Sequence, residues 1–134
     1  MAFPNRLFVP PTWRLLGLGL ATTILGLGAG AIIMPLTVAR GLGVIPTTSE
    51  GRAVTERNMI FLGARDLSIG ATLLWLYYER KHREMGMLAT SGVIFYVADI
   101  LVAAKGPRGW DAGVWGLTGA AAVATFIGLG LLQS

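Results

Sequence analysis

Four long apolar stretches, separated by short polar segments, make up most of this chain. They run over residues 15–39, 54–78, 86–104 and 112–132. At about 1.5 Å of rise per helical residue, they have lengths suited to crossing a hydrocarbon layer of roughly 30 Å. No segment alternates apolar and polar residues over the length of a strand. Since backbone polar groups must be satisfied within lipid, the pattern predicts an all-α, integral-membrane four-helix bundle, with residues 1–134 as a single domain.

Helix-breaking and capping residues mark the boundaries between the spans. Pro35 is expected to kink or end the first helix near its last turn. Thr47 and Glu50 match a capping box, which predicts that the second helix begins near them. A charged cluster at 79–84 predicts a short solvated turn, and Gly and Pro within 105–109 break the third span.

The composition fits a membrane protein. Hydrophobic residues make up 54% of the 134 residues and charged residues 13%, with a mean hydropathy of +0.64. Soluble domains carry about 25% charged residues. Most basic residues lie at the ends of apolar runs or between them, which indicates a lipid bilayer as partner and argues against nucleic acid. They are Arg14, Arg40, Arg52, Arg80, Lys81, Arg83, Lys105 and Arg108.

Metal and cofactor chemistry is not expected. The chain has no cysteine, and its single histidine, His82, lies in the charged turn. A His/Cys metal cluster is therefore excluded. Gly17 and Gly19 follow no strand, so a dinucleotide site is not predicted either. We expect no cofactor.

Four crossings place both termini on the side of the 79–84 turn. Basic residues there number five, against four on the opposite side, a bias toward cytosolic termini. Trp13 is expected to anchor the first helix at the interface. Gly26 and Gly30 form a small-xxx-small pair that would allow another helix to approach closely. The five basic residues on the side of the termini are Arg6, Arg14, Arg80, Lys81 and Arg83.

Charged residues inside the apolar spans are the strongest functional signal. Arg65 and Asp66 lie in the second span and Asp99 in the third. Ionisable groups at membrane depth are costly and usually serve a function within the bundle. Consecutive helical residues point about 100° apart, so Arg65 can reach Asp99 as readily as it can pair with its neighbour. Depth along the helices is compatible with all three meeting.

Two carboxylates and an arginine in a dry pocket have a chemical use. Both carboxylates do not easily ionise together, so one keeps its proton as a general acid while the other acts as a general base. Epoxide opening needs such a pair. Asp66 is the first choice for the base and Asp99 for the acid, with the reverse order left open. The predicted substrate-binding residues around this catalytic set are Tyr96, Asn58, Glu56 and Trp115, with Trp110 beside Trp115 in the cavity wall.

The segment from Gly63 to Gly70, with the downstream Asp99, resembles a family of small four-helix membrane proteins of unknown function that is common in fungi. Some of its members resemble hydrolases or cyclases that open polyketide epoxides. The resemblance implies that Arg65, Asp66 and Asp99 are the functional positions. It also implies a lipophilic secondary-metabolite substrate and, in a fungus, the endoplasmic reticulum. Limonene-type epoxide hydrolases offer a chemical analogy on an unrelated fold.

Other interpretations stay open at this point. In one of them, Arg65 only ties two helices together through an ion pair, since structural ion pairs also occur in membranes. In another, the protein isomerises or cyclises a different lipophilic substrate, or carries a substrate coupled to protons. A non-catalytic scaffold that uses Gly26 and Gly30, and a homo-oligomer, are further alternatives.

Overall fold

A computed structural model describes residues 7–105 and 109–133, and these residues form helices and connecting turns without a strand. Gly106, Pro107 and Arg108 of the predicted break, and Arg6 of the charge count, lie outside the described residues. The six helices are α1 (Pro10–Ile33), α2 (Pro35–Gly41), α3 (Ser49–Tyr78), α4 (His82–Ser91), α5 (Val93–Ala104) and α6 (Ala112–Gln133).

Four helical segments are long and apolar enough to cross a membrane, so the predicted fold class is confirmed. They are Pro10–Ile33, Ser49–Tyr78, His82–Ala104 and Ala112–Gln133. The third segment consists of α4 and α5, which join at Gly92. Helical i to i−4 hydrogen bonds continue through this residue. Gly92 N–H donates to Leu88 O, and Gly92 O accepts from Tyr96 N–H at 3.0 Å.

Prolines and one threonine set the helix boundaries. Pro35 lacks an N–H and cannot continue α1, which ends at Ile33, and Pro35 instead begins the separate helix α2. The first span therefore ends earlier than the predicted residue 39. Thr48, and not the predicted Thr47, caps α3, because its hydroxyl accepts from Gly51 N–H at 2.9 Å.

Glycines allow α1 and α3 to pack against each other at the closest approach of the backbones. A Cβ at Gly28 would lie 2.9 Å from the Gly63 carbonyl oxygen, and one at Gly63 would lie 2.6 Å from that of Gly28. Gly26 has no atom of another element within 4 Å of such a Cβ. The prediction that Gly26 provides the close approach is thus wrong for contacts within this chain, because Gly26 points away from α3.

A second close pair, Gly86 of α4 and Gly128 of α6, brings α4 and α6 together. The main apolar core lies between these pairs at the end of the bundle that carries the 79–84 turn. Trp13, Leu73, Met85 and Leu131 are its largest fully buried side chains. Trp13 packs against the ring of Phe126. The expectation that Trp13 is an interfacial anchor is therefore wrong, since its ring is fully buried and lies against Gly130 of α6.

We expect Gly28→Ile to destabilise the bundle by about 1–3 kcal/mol, because a branched side chain would collide with the α3 backbone. Thermal unfolding in a mild detergent measures this loss. Gly26→Ile is the matched control on the same helix and should change stability by less than about 0.5 kcal/mol. Equal melting temperatures for the two variants would show that the α1–α3 contact is looser than described.

Candidate functional site

The arginine and the two aspartates of the membrane spans meet between α3 and α5. Arg65 Nη1 donates to Asp99 Oδ1 at 3.2 Å, and Arg65 Nη2 donates to Asp99 Oδ2 at 3.0 Å. Two parallel N–H···O bonds to one carboxylate form the strongest geometry available to an arginine. The pairing joins the middle of α3 to the last turns of α5.

Arg65 also holds Asp66, its neighbour in the chain. Its Nε donates to Asp66 Oδ1 at 3.0 Å, and Nη2 lies 2.9 Å from the same oxygen. Oxygens of both carboxylates thus lie within 3.0 Å of one nitrogen, so the distance between these oxygens is at most twice that, about 6 Å. The two carboxylates share a single counter-ion and a single site.

An aromatic ring supports the guanidinium from α5. Arg65 Cζ lies 4.7 Å from the centroid of the Phe95 ring, a cation–π distance. Phe95 precedes Asp99 by four residues and therefore shares its helix face. Sequence reasoning missed Phe95, although this spacing pointed to it once Arg65 was expected to reach Asp99.

Asp99 faces two cavities. The loop-side cavity, of about 230 Å³, lies between α3, α5 and the segment after α2. The inner cavity, of about 120 Å³, lies between α1, α5 and α6. Both are lined mostly by apolar side chains. Asp66 is more enclosed, with 16% of its side chain exposed against 31% for Asp99. Asp99 is accordingly the carboxylate that a molecule in either cavity would touch.

Two of the four predicted substrate-binding residues line these cavities. Asn58 lies in the loop-side cavity with Asp99, and Tyr96 lies in the inner cavity. Glu56 is exposed and lines neither cavity. Trp115 is 64% exposed, with its ring 5.6 Å from that of Trp110. The expected cavity wall is not formed by Trp115, since it faces outward, about 200° around α6 from the cavity residue Leu117.

Residues outside the predicted spans also line the loop-side cavity. Leu42 and Val44 follow α2 and cover the cavity at its outer end. Gly43, between them, has a φ of +83° and lies close to the Ala103 carbonyl of α5. A left-handed residue of this kind suits glycine, and it turns the chain over the end of α5. This segment lies between the first two predicted spans, and its pattern gave no sign of a role in a cavity.

The charge balance of the site determines what it can do. One guanidinium and two ionised carboxylates carry a net charge of −1, so one added proton would make the group neutral. Asp99 accepts from Arg65 through both of its oxygens. Asp66 accepts through Oδ1 alone within the described residues, so Oδ2 remains as a place for the proton. The arrangement can therefore hold one acid and one base side by side.

The part of the chain that the structure describes contains no group of three His, Asp or Glu side chains that could hold a metal ion. The described site thus consists of carboxylates, a guanidinium, a phenol and apolar walls. Proton transfer and charge stabilisation are the chemistry that such groups supply.

A double-mutant cycle of Arg65→Gln and Asp99→Asn measures the interaction between α3 and α5. We expect a coupling energy of at least about 1 kcal/mol in the free energy of unfolding, because the pair is bidentate and only partly exposed. A coupling near zero would mean that solvent screens the pair. The cycle of Arg65→Gln with Glu79→Gln, an exposed carboxylate at the end of α3, serves as the uncoupled control.

Comparison with known proteins places the chain in a family and gives no activity. No curated protein matches it, and no solved structure matches it. A family match covers residues 21–131, which include α3, α5 and every residue of the Arg65–Asp66–Asp99 group. The chain therefore belongs to the family described as Domain of unknown function (DUF4267).

Proposed function

We propose that this protein is a membrane-embedded enzyme that opens epoxides of a lipophilic substrate, as a hydrolase or as a cyclase. The observation that carries the proposal is the single guanidinium that binds two carboxylates beside an apolar cavity. Apolar walls suit a hydrocarbon-rich substrate, and the paired carboxylates suit concerted proton transfer.

In the proposed step, Asp66 is the acid and Asp99 the base. The proton of Asp66 Oδ2 passes to the epoxide oxygen as the carbon–oxygen bond breaks. A water oxygen forms the new bond to that carbon and gives its proton to the Asp99 carboxylate. The reaction ends with Asp66 ionised and Asp99 protonated, and one proton exchange between them restores the start. For cyclisation, a hydroxyl of the substrate replaces water.

This order reverses the first choice made from the sequence. Asp99 is preferred as the base because Arg65 donates to both of its oxygens in a bidentate pair. Asp99 also lines the cavities, where the attacking water would lie. Arg65 holds one oxygen of each carboxylate within about 6 Å of the other. Asn58 is the proposed substrate contact in the loop-side cavity, and Tyr96 lies in the inner cavity on the other side of Asp99.

The proposal extends to a biological setting. A polyketide-type polyene epoxide is the substrate class that we favour, because it is long, apolar and rich in oxygen at the reacting centre. Residence in the endoplasmic reticulum, with both termini in the cytosol, is the corresponding setting in a fungal cell. A single copy contains the whole proposed site, and a homo-oligomer remains a proposal.

Turnover of a polyene epoxide by the purified protein in ¹⁸O-labelled water tests the proposed reaction. Asp66→Asn and Asp99→Asn should each lower kcat by about 10²–10⁴-fold, because each removes one partner in proton transfer. Glu79→Gln is the matched amide substitution outside the site and should retain full activity. Label in the product indicates hydrolysis, and an unlabelled ring indicates attack by a substrate hydroxyl.

Full activity in both folded aspartate variants would refute the catalytic role. Loss of activity with a matching loss of folded protein would instead identify the group as structural. Thermal unfolding of each variant, measured in the same detergent, separates these outcomes.

The two cavities predict different effects of filling. Asn58→Trp should fill the loop-side cavity and raise KM at least tenfold, because substrate is expected in the larger space that carries an amide. Ala121→Leu, which fills the inner cavity, should raise KM by less than threefold. Steady-state kinetics of both variants measure the difference, and the opposite ranking would place the substrate between α1, α5 and α6.

A further inference from the structure

A polar cleft lies at the opposite end of the bundle from the loop-side cavity. It has a volume of about 530 Å³ and is lined by Arg14, Tyr77, Tyr78, Arg80 and His82. Arg14 belongs to the second turn of α1, the tyrosines end α3, and His82 begins α4. Three elements therefore contribute to one cleft, which has no part in the proposed epoxide chemistry.

The positive charge in this cleft is not neutralised by a side chain. Within residues 7–105 and 109–133, neither Arg14 nor Arg80 forms an ion pair. Both guanidinium charges lie near enough to act on the imidazole of His82. Glu79, in the same turn, lines other clefts with Trp75. An anion is the partner that two convergent guanidinium groups require.

The His82 ring adds a second sign of a missing partner. Its Nδ1 is enclosed and has no hydrogen-bond partner among the described residues. Buried polar atoms without a partner are uncommon in native proteins and call for an explanation. The ring also packs edge-on against Tyr77, with centroids 5.8 Å apart, which holds it at the wall of the cleft.

Arg80 occupies a backbone position that normally favours glycine. Its φ is +58°, and Lys81 N–H donates to Leu76 O at 2.9 Å, as in the Schellman ending of a helix. Glycine would adopt this conformation without the steric cost that an arginine incurs. Arginine therefore occupies this position despite the unfavourable backbone conformation, and its long cationic side chain lines the cleft.

If the four long apolar helices cross a bilayer, this cleft at their ends lies near its surface. Its residues come from helix ends on the side of the described termini, and tyrosines are enriched where hydrocarbon meets water. Tyr78 is mostly exposed, with an apolar ring that can lie along an acyl chain. We propose that this cleft binds a phosphate group, presented by an anionic lipid headgroup or by a soluble phosphate compound.

Isothermal titration of the purified protein in dodecyl maltoside tests the site, with two probes in separate arms. One arm uses dihexanoyl phosphatidic acid and the other uses inorganic phosphate. Saturable one-to-one binding is expected in at least one arm. Binding of the lipid alone identifies a headgroup site, and comparable binding of inorganic phosphate identifies a site for soluble phosphate. Dihexanoyl phosphatidylcholine, which carries no net charge, should bind at least tenfold more weakly than phosphatidic acid.

Arg80→Gly is the decisive variant, because it removes the guanidinium and relieves the backbone at once. It should weaken binding at least tenfold while the melting temperature stays the same or rises. Arg14→Gln should weaken binding to a similar extent. Arg83→Gln removes one charge from the first turn of α4 but lies outside the cleft, and it should change the dissociation constant less than twofold.

Three results would overturn the proposal. One is the absence of saturable binding in both arms. The second is unchanged affinity in Arg80→Gly. The third is an equal loss of affinity in Arg80→Gly and Arg83→Gln, which would mean that diffuse positive charge near the membrane accounts for the binding.

Discussion

One charge balance organises the interior of this bundle: a single arginine that holds two carboxylates within apolar helices. Arg65 places three of its nitrogens on Asp66 and Asp99 and rests on the ring of Phe95. Removing Arg65 would leave two carboxylates without their shared partner, at a cost that lipid cannot reduce. The same balance sets α5 against α3 and leaves Asp99 at the boundary of two cavities.

Glycine residues allow the helices around this charged group to pack closely. Gly28 and Gly63 bring the α1 and α3 backbones into contact one turn from Asp66. Gly86 and Gly128 do the same for α4 and α6. Lipid offers little hydrophobic drive for helices to associate, so small residues and polar contacts must supply the attraction. The glycine pairs and the ion pairs therefore act together, and the apolar core around Leu73 fills one end.

The two ends of the molecule consequently differ in character. The end covered by the segment after α2 carries a mostly apolar cavity that reaches Asp99. The end that carries the connection between α3 and α4 presents guanidinium groups and tyrosines around a polar cleft. Chemistry on a lipophilic molecule suits the first end, and recognition of a charged group suits the second. Physical separation along α3 keeps the two sets of charges apart.

The sequence by itself determined the four spans, the fold class and the identity of Arg65, Asp66 and Asp99 as an interior group. Apolar length and the cost of charge in lipid are local properties, and they can be read along the chain. Tertiary structure alone decided that Arg65 bonds to both aspartates, that Gly28 rather than Gly26 makes the close contact, and that Trp115 faces outward. Each of these depends on how a helix rotates about its axis. That rotation is set by packing against neighbours distant in sequence, and the nearly uniform apolarity of the spans does not encode it.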